Sequence, residues 1–189
     1  HSLGQTANFK TNSNIPTEKF PVAINSKLKR SIVIKKAEEV DERFHSRYSV
    51  KSKRYRYTIN NSQYGSAIYR DMEYHFPIKL DVEKMKDAAK YFEGEHDFKG
   101  FKASGTSSKS SVRKIFKVEV IEDGDRIYIE LTGNGFLYNM VRIISGTLLD
   151  VGQSKIKPED IPDIILSKDR MRAGKTLPAH GLCLMEVTY

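Results

Sequence analysis

The sequence predicts an α+β fold, a largely antiparallel sheet flanked by helices. Three observations carry this. Short runs of β-branched and aromatic residues recur, two of them joined by the hairpin signal "EDGD" at Glu122–Asp125. Other segments repeat apolar residues at helical spacing. The two kinds mix without the regular βαβ alternation of a parallel sheet. A length of 189 residues suffices for one sizeable domain or two small ones, with a real core.

In chain order, Gln5–Thr11 alternates weakly and is expected to be a strand, as is "SIVIKK" at Ser31–Lys36. Lys53–Asn60, "KRYRYTIN", is a strand of strong β-formers. Its period of two puts Lys53, Tyr55, Tyr57 and Ile59 on one face and Arg54, Arg56 and Thr58 on the other. Asp81 is a natural N-cap for a helix on which Leu80, Met85, Ala89 and Phe92 recur, and Gly94 stops it. Lys102–Ser111, rich in Ser and Gly, is expected to be a flexible loop. Val112–Ile121 and Arg126–Thr132 are the hairpin strands. Phe136–Asp150 is a helix with one apolar stripe: Phe136, Leu137, Met140, Val141, Ile144 and Leu148. Pro158 suits the first turn of a helix over Pro158–Leu166, which Pro162 keeps short or bent. "GLCLMEVTY" closes the chain as a strand.

Composition narrows the function classes. Hydrophobic residues at 39% and charged residues at 30% fit a globular chain. No apolar run approaches the roughly 18 residues of a membrane helix. Cys183 is the only cysteine, so no internal disulfide can form and a cytoplasmic setting is expected. The histidines show no metal-ligand spacing, and "RAGKT" lacks the leading glycine frame of a phosphate loop. The net charge of +8 sits in the first 57 residues, which carry 13 Lys and Arg against five Asp and Glu; the remainder balances at 19 of each. Such asymmetry points to a polyanion.

Two stretches hold candidate chemistry. Arg43–Tyr57, "RFHSRYSVKSKRYRY", interleaves His45, Arg47, Lys53, Arg54 and Arg56 with Phe44, Tyr48, Tyr55 and Tyr57. Cations contact phosphates and aromatic faces stack bases. The same pattern also describes a strand whose tyrosines pack a core while its arginines are solvated. The second stretch is "GNGFLYNMVRIISG", apolar apart from Arg142. On a helix Arg142 falls off the apolar stripe, near Tyr138, Asn139, Gly146 and Leu149. It either faces solvent or sits in a cleft holding a carboxylate or phosphate.

Together these segments resemble the tRNA pseudouridine synthase A (TruA) family. "HSLGQTANF" is similar to the end of its active-site motif G-R-T-D-x-G-V-H and the strand that follows. "RFHSRYSVKSKRYRYTI", "EHDFKGF", "FLYNMVRIISGTLLDVG" and "RAGKTLPAHGLCLMEVTY" resemble later family segments in family order, across nearly the whole chain. The resemblance implies a pseudouridine synthase fold lacking its amino-terminal part. Residues 1–44 would be the rest of the amino-terminal α+β subdomain, and 45–189 a carboxy-terminal α+β subdomain carrying most of the RNA cleft. It implies isomerisation of uridine to pseudouridine in the tRNA anticodon stem-loop, at positions 38 to 40, by a homodimer that needs neither cofactor nor metal. The motif histidine aligns with His1, so the nucleophilic aspartate is expected four residues before it. The chain is then an inactive carboxy-terminal part of a longer enzyme. Tyr55 resembles the tyrosine that stacks on the target base, Leu182 the leucine against the flipped uracil, and Arg142 the partner of the aspartate. His45, Arg47, Lys53, Arg54 and Arg56 lie where the family touches tRNA. Arg142 is expected to hold water, an anion or a makeshift carboxylate. The alternative is a non-catalytic RNA-binding α+β module.

Overall fold

The computed structural model describes residues 1–105 and 110–189, so the expected loop over 102–111 lies partly outside the described residues. The chain divides into two compact units: Thr6–Ser49, and a larger one made of His1–Gln5 and Val50–Tyr189.

Thr6–Ser49 holds one 3-10 turn, Thr17–Lys19, running into α1 (Phe20–Asn25) with a proline in its first turn. None of its side chains is buried. Polar contacts organise it. The Asn25 amide group donates to Ile34 O and accepts from Ile34 N, at 2.9 and 2.8 Å, and Phe9 meets Phe20 edge-on. The strands expected at Gln5–Thr11 and Ser31–Lys36 do not form. A β-prone run becomes a strand only when a neighbour completes its ladder. Here Ile34 meets a side-chain amide instead.

The larger unit carries the α+β architecture that the sequence predicts. Its strands are β1 (Ser52–Asn60), β2 (Tyr74–His75), β3 (Gly94–Asp97), β4 (Val112–Asp123), β5 (Arg126–Gly133) and β6 (Leu182–Thr188). The sheet runs β2-β1-β5-β4-β3. β6 shares the outer edge of β1 with β2, and every pairing except β1 with β2 is antiparallel. β4 and β5 join through a two-residue turn in which Gly124 takes φ 56°, a left-handed conformation that glycine adopts without strain.

One face of the sheet is the core. Tyr57 pairs with Ile129 and Ile59 with Ile127, and all four are buried. Each aliphatic side chain so buried contributes about 1.5–3 kcal/mol. α2 (Val82–Ala89) starts as expected: the Asp81 side chain accepts from Lys84 N at 3.1 Å, and these bonds hold the Asp81 carboxyl below the usual range. α2 packs against β4 and against α3 (Met140–Gly152). α4 (Ile161–Ser167) follows a 3-10 turn that begins at Pro158. No helix among the described residues is long and apolar enough to cross a membrane.

α3 departs from its expectation twice. It begins at Met140 rather than Phe136, because Asn139 takes φ 60°, ψ 7° and no helix propagates through a left-handed residue. It is also buried nearly all round: Ile143, Ser145, Gly146, Thr147 and Leu149 are enclosed as well as Met140, Val141, Ile144 and Leu148 of the expected stripe. A segment between α4 and β6 covers the face that carries Arg142 and Gly146.

Candidate active site

That segment is a strap, Gly174–Pro178, laid along α3. Gly174 N donates to Thr147 Oγ1 at 2.9 Å and Leu177 N to Arg142 O at 3.3 Å. Two glycines allow the approach. A Cβ on Gly146 would lie 1.9 Å from Lys175 O, and one on Gly174 2.5 Å from Gly146 C. Arg170 braces the strap from its own side, donating to Ala173 O, Gly174 O and Thr176 Oγ1 at 3.2, 2.9 and 3.0 Å.

The strap fixes Arg142. Its Nε donates to Leu177 O at 2.6 Å and its Nη1 to Asn139 Oδ1 at 2.8 Å. Arg142 is half-buried, neither freely solvated nor enclosed. Of the water, anion or makeshift carboxylate expected on Arg142, the carboxylate does not occur: both acceptors are neutral, and no side-chain carboxylate pairs with Arg142 among the described residues. Asp97 is held by Lys168 and Ser111, and Asp150 lies 3.9 Å from Lys155. Next along the strap, Tyr57 OH donates to Pro178 O at 2.7 Å. Burial pushes the Tyr57 phenol far up, partly opposed by the Arg142 charge, so guanidinium and phenol lie within electrostatic reach.

Tyr55 shares the core-side face of β1 with Tyr57 and stands edge-on to Phe136, ring centres 5.3 Å apart. It is only partly buried, and burial raises its pKa, so the phenol is neutral at physiological pH. Leu182 is Tyr57's partner on β6 and is half-buried. His1–Leu3 runs beside it: His1 N donates to Leu182 O at 3.2 Å, Leu184 N to His1 O at 3.0 Å and Leu3 N to Leu184 O at 2.8 Å. Tyr55, Leu182, Arg142 and the His1 end of the motif-like segment therefore belong to one neighbourhood, built from β1, β6 and the start of α3.

The basic residues divide. Lys53 is on the Tyr55 face. Arg54 and Arg56 project from the opposite face and share the buried Glu130: Arg54 Nη1 at 3.4 Å and Arg56 Nε at 2.7 Å. Arg54 also pairs with Glu186 at 3.2 Å, and Arg56 lies over Tyr128. His45 and Arg47 belong to the smaller unit, both exposed, with Tyr48 against the His45 ring and under the Arg47 guanidinium. Among the described residues no cluster of His, Cys, Asp and Glu could hold a metal ion.

A family profile described as tRNA pseudouridine synthase matches residues 88–189, more than half of the chain and all of α3, the strap and β6. The chain belongs to the tRNA pseudouridine synthase family. "tRNA pseudouridine synthase A" of Acetivibrio thermocellus is 54% identical over all 189 residues, which span 78% of that protein. The protein of the same name from Caldicellulosiruptor saccharolyticus is equally similar, and "tRNA pseudouridine synthase A 2" of Clostridium perfringens is 51% identical, both with the same coverage. The family isomerises uridine in tRNA. Within this synthase framework, sequence reasoning singled out Tyr55, Arg142 and Leu182 and set Asn139 beside Arg142 without giving it a role, but missed Thr147, Arg170 and the Leu177 carbonyl. Only the small residue Gly146 on the Arg142 face hinted at the strap.

Proposed function

We propose that this chain forms the base-holding and guanidinium-bearing part of an enzyme that converts uridine to pseudouridine in the tRNA anticodon stem-loop, at positions 38 to 40. The observation that carries this is Arg142: a half-buried guanidinium tied by two neutral acceptors and paired with no side-chain carboxylate among the described residues. Of its five N–H bonds these contacts use two, which leaves hydrogens on Nη1 and Nη2 for a two-point grip on an aspartate. The aspartate comes from residues ahead of His1 in the full-length protein. The guanidinium keeps it ionised and aimed in a confined site.

The chemistry needs no redox partner. Uridine and pseudouridine are isomers: the N1–C1′ bond breaks, the detached uracil turns, and a C5–C1′ bond forms. C5 loses a proton and N1 gains one. The base must leave the stack first. Tyr55 supplies an aromatic platform and Leu182 an apolar wall, which together hold a neutral ring while it rotates. Lys53, on the Tyr55 face, and the exposed His45 and Arg47 take phosphates; Arg54 and Arg56, expected to touch tRNA as well, contribute less because Glu130 shares their charge. The enzyme works as a homodimer with tRNA spanning both copies.

In the full-length protein, Tyr55→Leu should abolish pseudouridine formation, read by mass change or chemical labelling of tRNA, with the melting temperature within a few degrees of the original. Wild-type turnover in that variant removes Tyr55 from the site. Binding of tRNA should weaken log-linearly with salt. Lys53→Ala is expected to reduce the slope by about one. Arg54→Ala, whose charge is shared with two glutamates, should change the slope less and the stability more. Binding indifferent to salt would end the tRNA reading.

A further inference from the structure

Asn139 is the residue before α3, where an asparagine ordinarily has extended backbone and caps the helix by accepting from the second or third N–H. It does neither here. Its carbonyl starts the ladder, accepting from Ile143 N at 3.0 Å, but its φ of 60° is left-handed and its side chain makes no cap bond. The amide oxygen is spent on Arg142 Nη1 at 2.8 Å. The helix thus forgoes an ordinary cap, and the residue is asparagine, among the non-glycine types most tolerant of this conformation. The second acceptor on Arg142, Leu177 O, is a carbonyl of the strap on the other flank. A guanidinium on a flexible stem is pinned by one such contact but still turns about its own axis; two contacts from separate elements stop that.

We propose that Asn139 is a positioning residue: its left-handed backbone turns the amide oxygen onto Arg142 Nη1, so that the guanidinium edge left over faces the reacting carboxylate. This rests on the proposed role of Arg142. It predicts that orientation, and not charge alone, sets the rate.

Two variants separate the contributions. Asn139→Gly keeps the left-handed backbone and deletes the acceptor. In the full-length protein it should keep its melting temperature within a few degrees and its KM for tRNA within about twofold, while kcat falls about tenfold, as for loss of a hydrogen bond to a charged group. Asn139→Asp keeps the shape but supplies a carboxylate of its own. It should occupy Arg142 as an ion pair and reduce kcat further than Asn139→Gly, although it removes no contact. A wild-type kcat in either variant overturns the proposal, as does a loss confined to KM or to melting temperature.

A readout without turnover keeps this independent of the assigned reaction. In nitrogen-15 NMR of the chain itself, the Arg142 Nη protons, assigned by their loss in Arg142→Met, should show slow rotation that Asn139→Gly releases while Nε–H, on Leu177 O, stays protected. Freely averaging Nη signals in the wild type overturn the positioning role. Slow rotation in a full-length protein that makes no pseudouridine leaves the positioning intact and overturns the function.

Discussion

Arg142→Met is expected to lower pseudouridine formation by the full-length protein about 10²–10⁴-fold, because removing one partner of a buried charge pair costs about 3–5 kcal/mol and each 1.36 kcal/mol is tenfold in rate. Methionine retains much of the aliphatic stem, so packing around α3 changes little. What disappears is the charge, along with the bonds to Leu177 O and Asn139 Oδ1. An acceptor left unpaired costs about 1–3 kcal/mol, less where water can reach it, as on this half-buried flank. For a chain of this length that is a fall of several degrees in melting temperature. Turnover measured well below the transition, against melting curves of the same samples, separates the two effects. A loss of activity that vanishes once stability is matched would make Arg142 a structural residue.

Gly146→Ala should be the most damaging single-methyl change in the larger unit. The new Cβ would sit 1.9 Å from Lys175 O and 3.0 Å from Lys175 C, backbone atoms that cannot rotate away. Helix propensity favours alanine by about 1 kcal/mol. Overpacking outweighs this, since it costs about 1–3 kcal/mol even where side chains can adjust, and here the strap must lift. The expected result is a melting temperature lower by about 5–10 °C. Turnover should fall as well, because a lifted strap takes Leu177 O away from Arg142 Nε. Gly135→Ala is the control: its nearest neighbour would be Arg113 Nε at 3.7 Å, ordinary contact, and its effect should be small. Equal melting of the two variants would show that the strap does not lie tightly on α3.

Gly146 also shows why the site was only partly legible in the chain. A helix wheel placed Arg142 away from the main apolar stripe, which is correct, and read the rest of that face as solvent-exposed or a cleft. Periodicity describes one helix and is silent about a strap that arrives 28 residues later along the chain. The same holds for Arg54 and Arg56. Alternation put them on the face opposite Tyr55, as observed, but nothing local announces that Glu130, on another strand, takes both charges. Asn139 reads in sequence as an unremarkable polar residue at the edge of an apolar run, and its value lies in a positive φ that spacing does not encode. At Ser31–Lys36 the error ran the other way: strong β-formers predicted a strand where no partner completes one.

By itself the sequence determined most of the larger unit's elements, though not the short strands β2 and β3 or the start of α3. The β1 alternation, the Glu122–Asp125 turn and the Asp81 cap act over a few residues, and their energetics are local. It also determined the family, since ordered motifs across the chain record chemistry that has to be held in common. Only the tertiary structure decided what Arg142 holds on to. The Leu177 carbonyl lies 35 residues away in the chain and 2.6 Å away in space. A guanidinium's orientation depends on where its acceptors stand, and that is settled when the strap closes over two glycines.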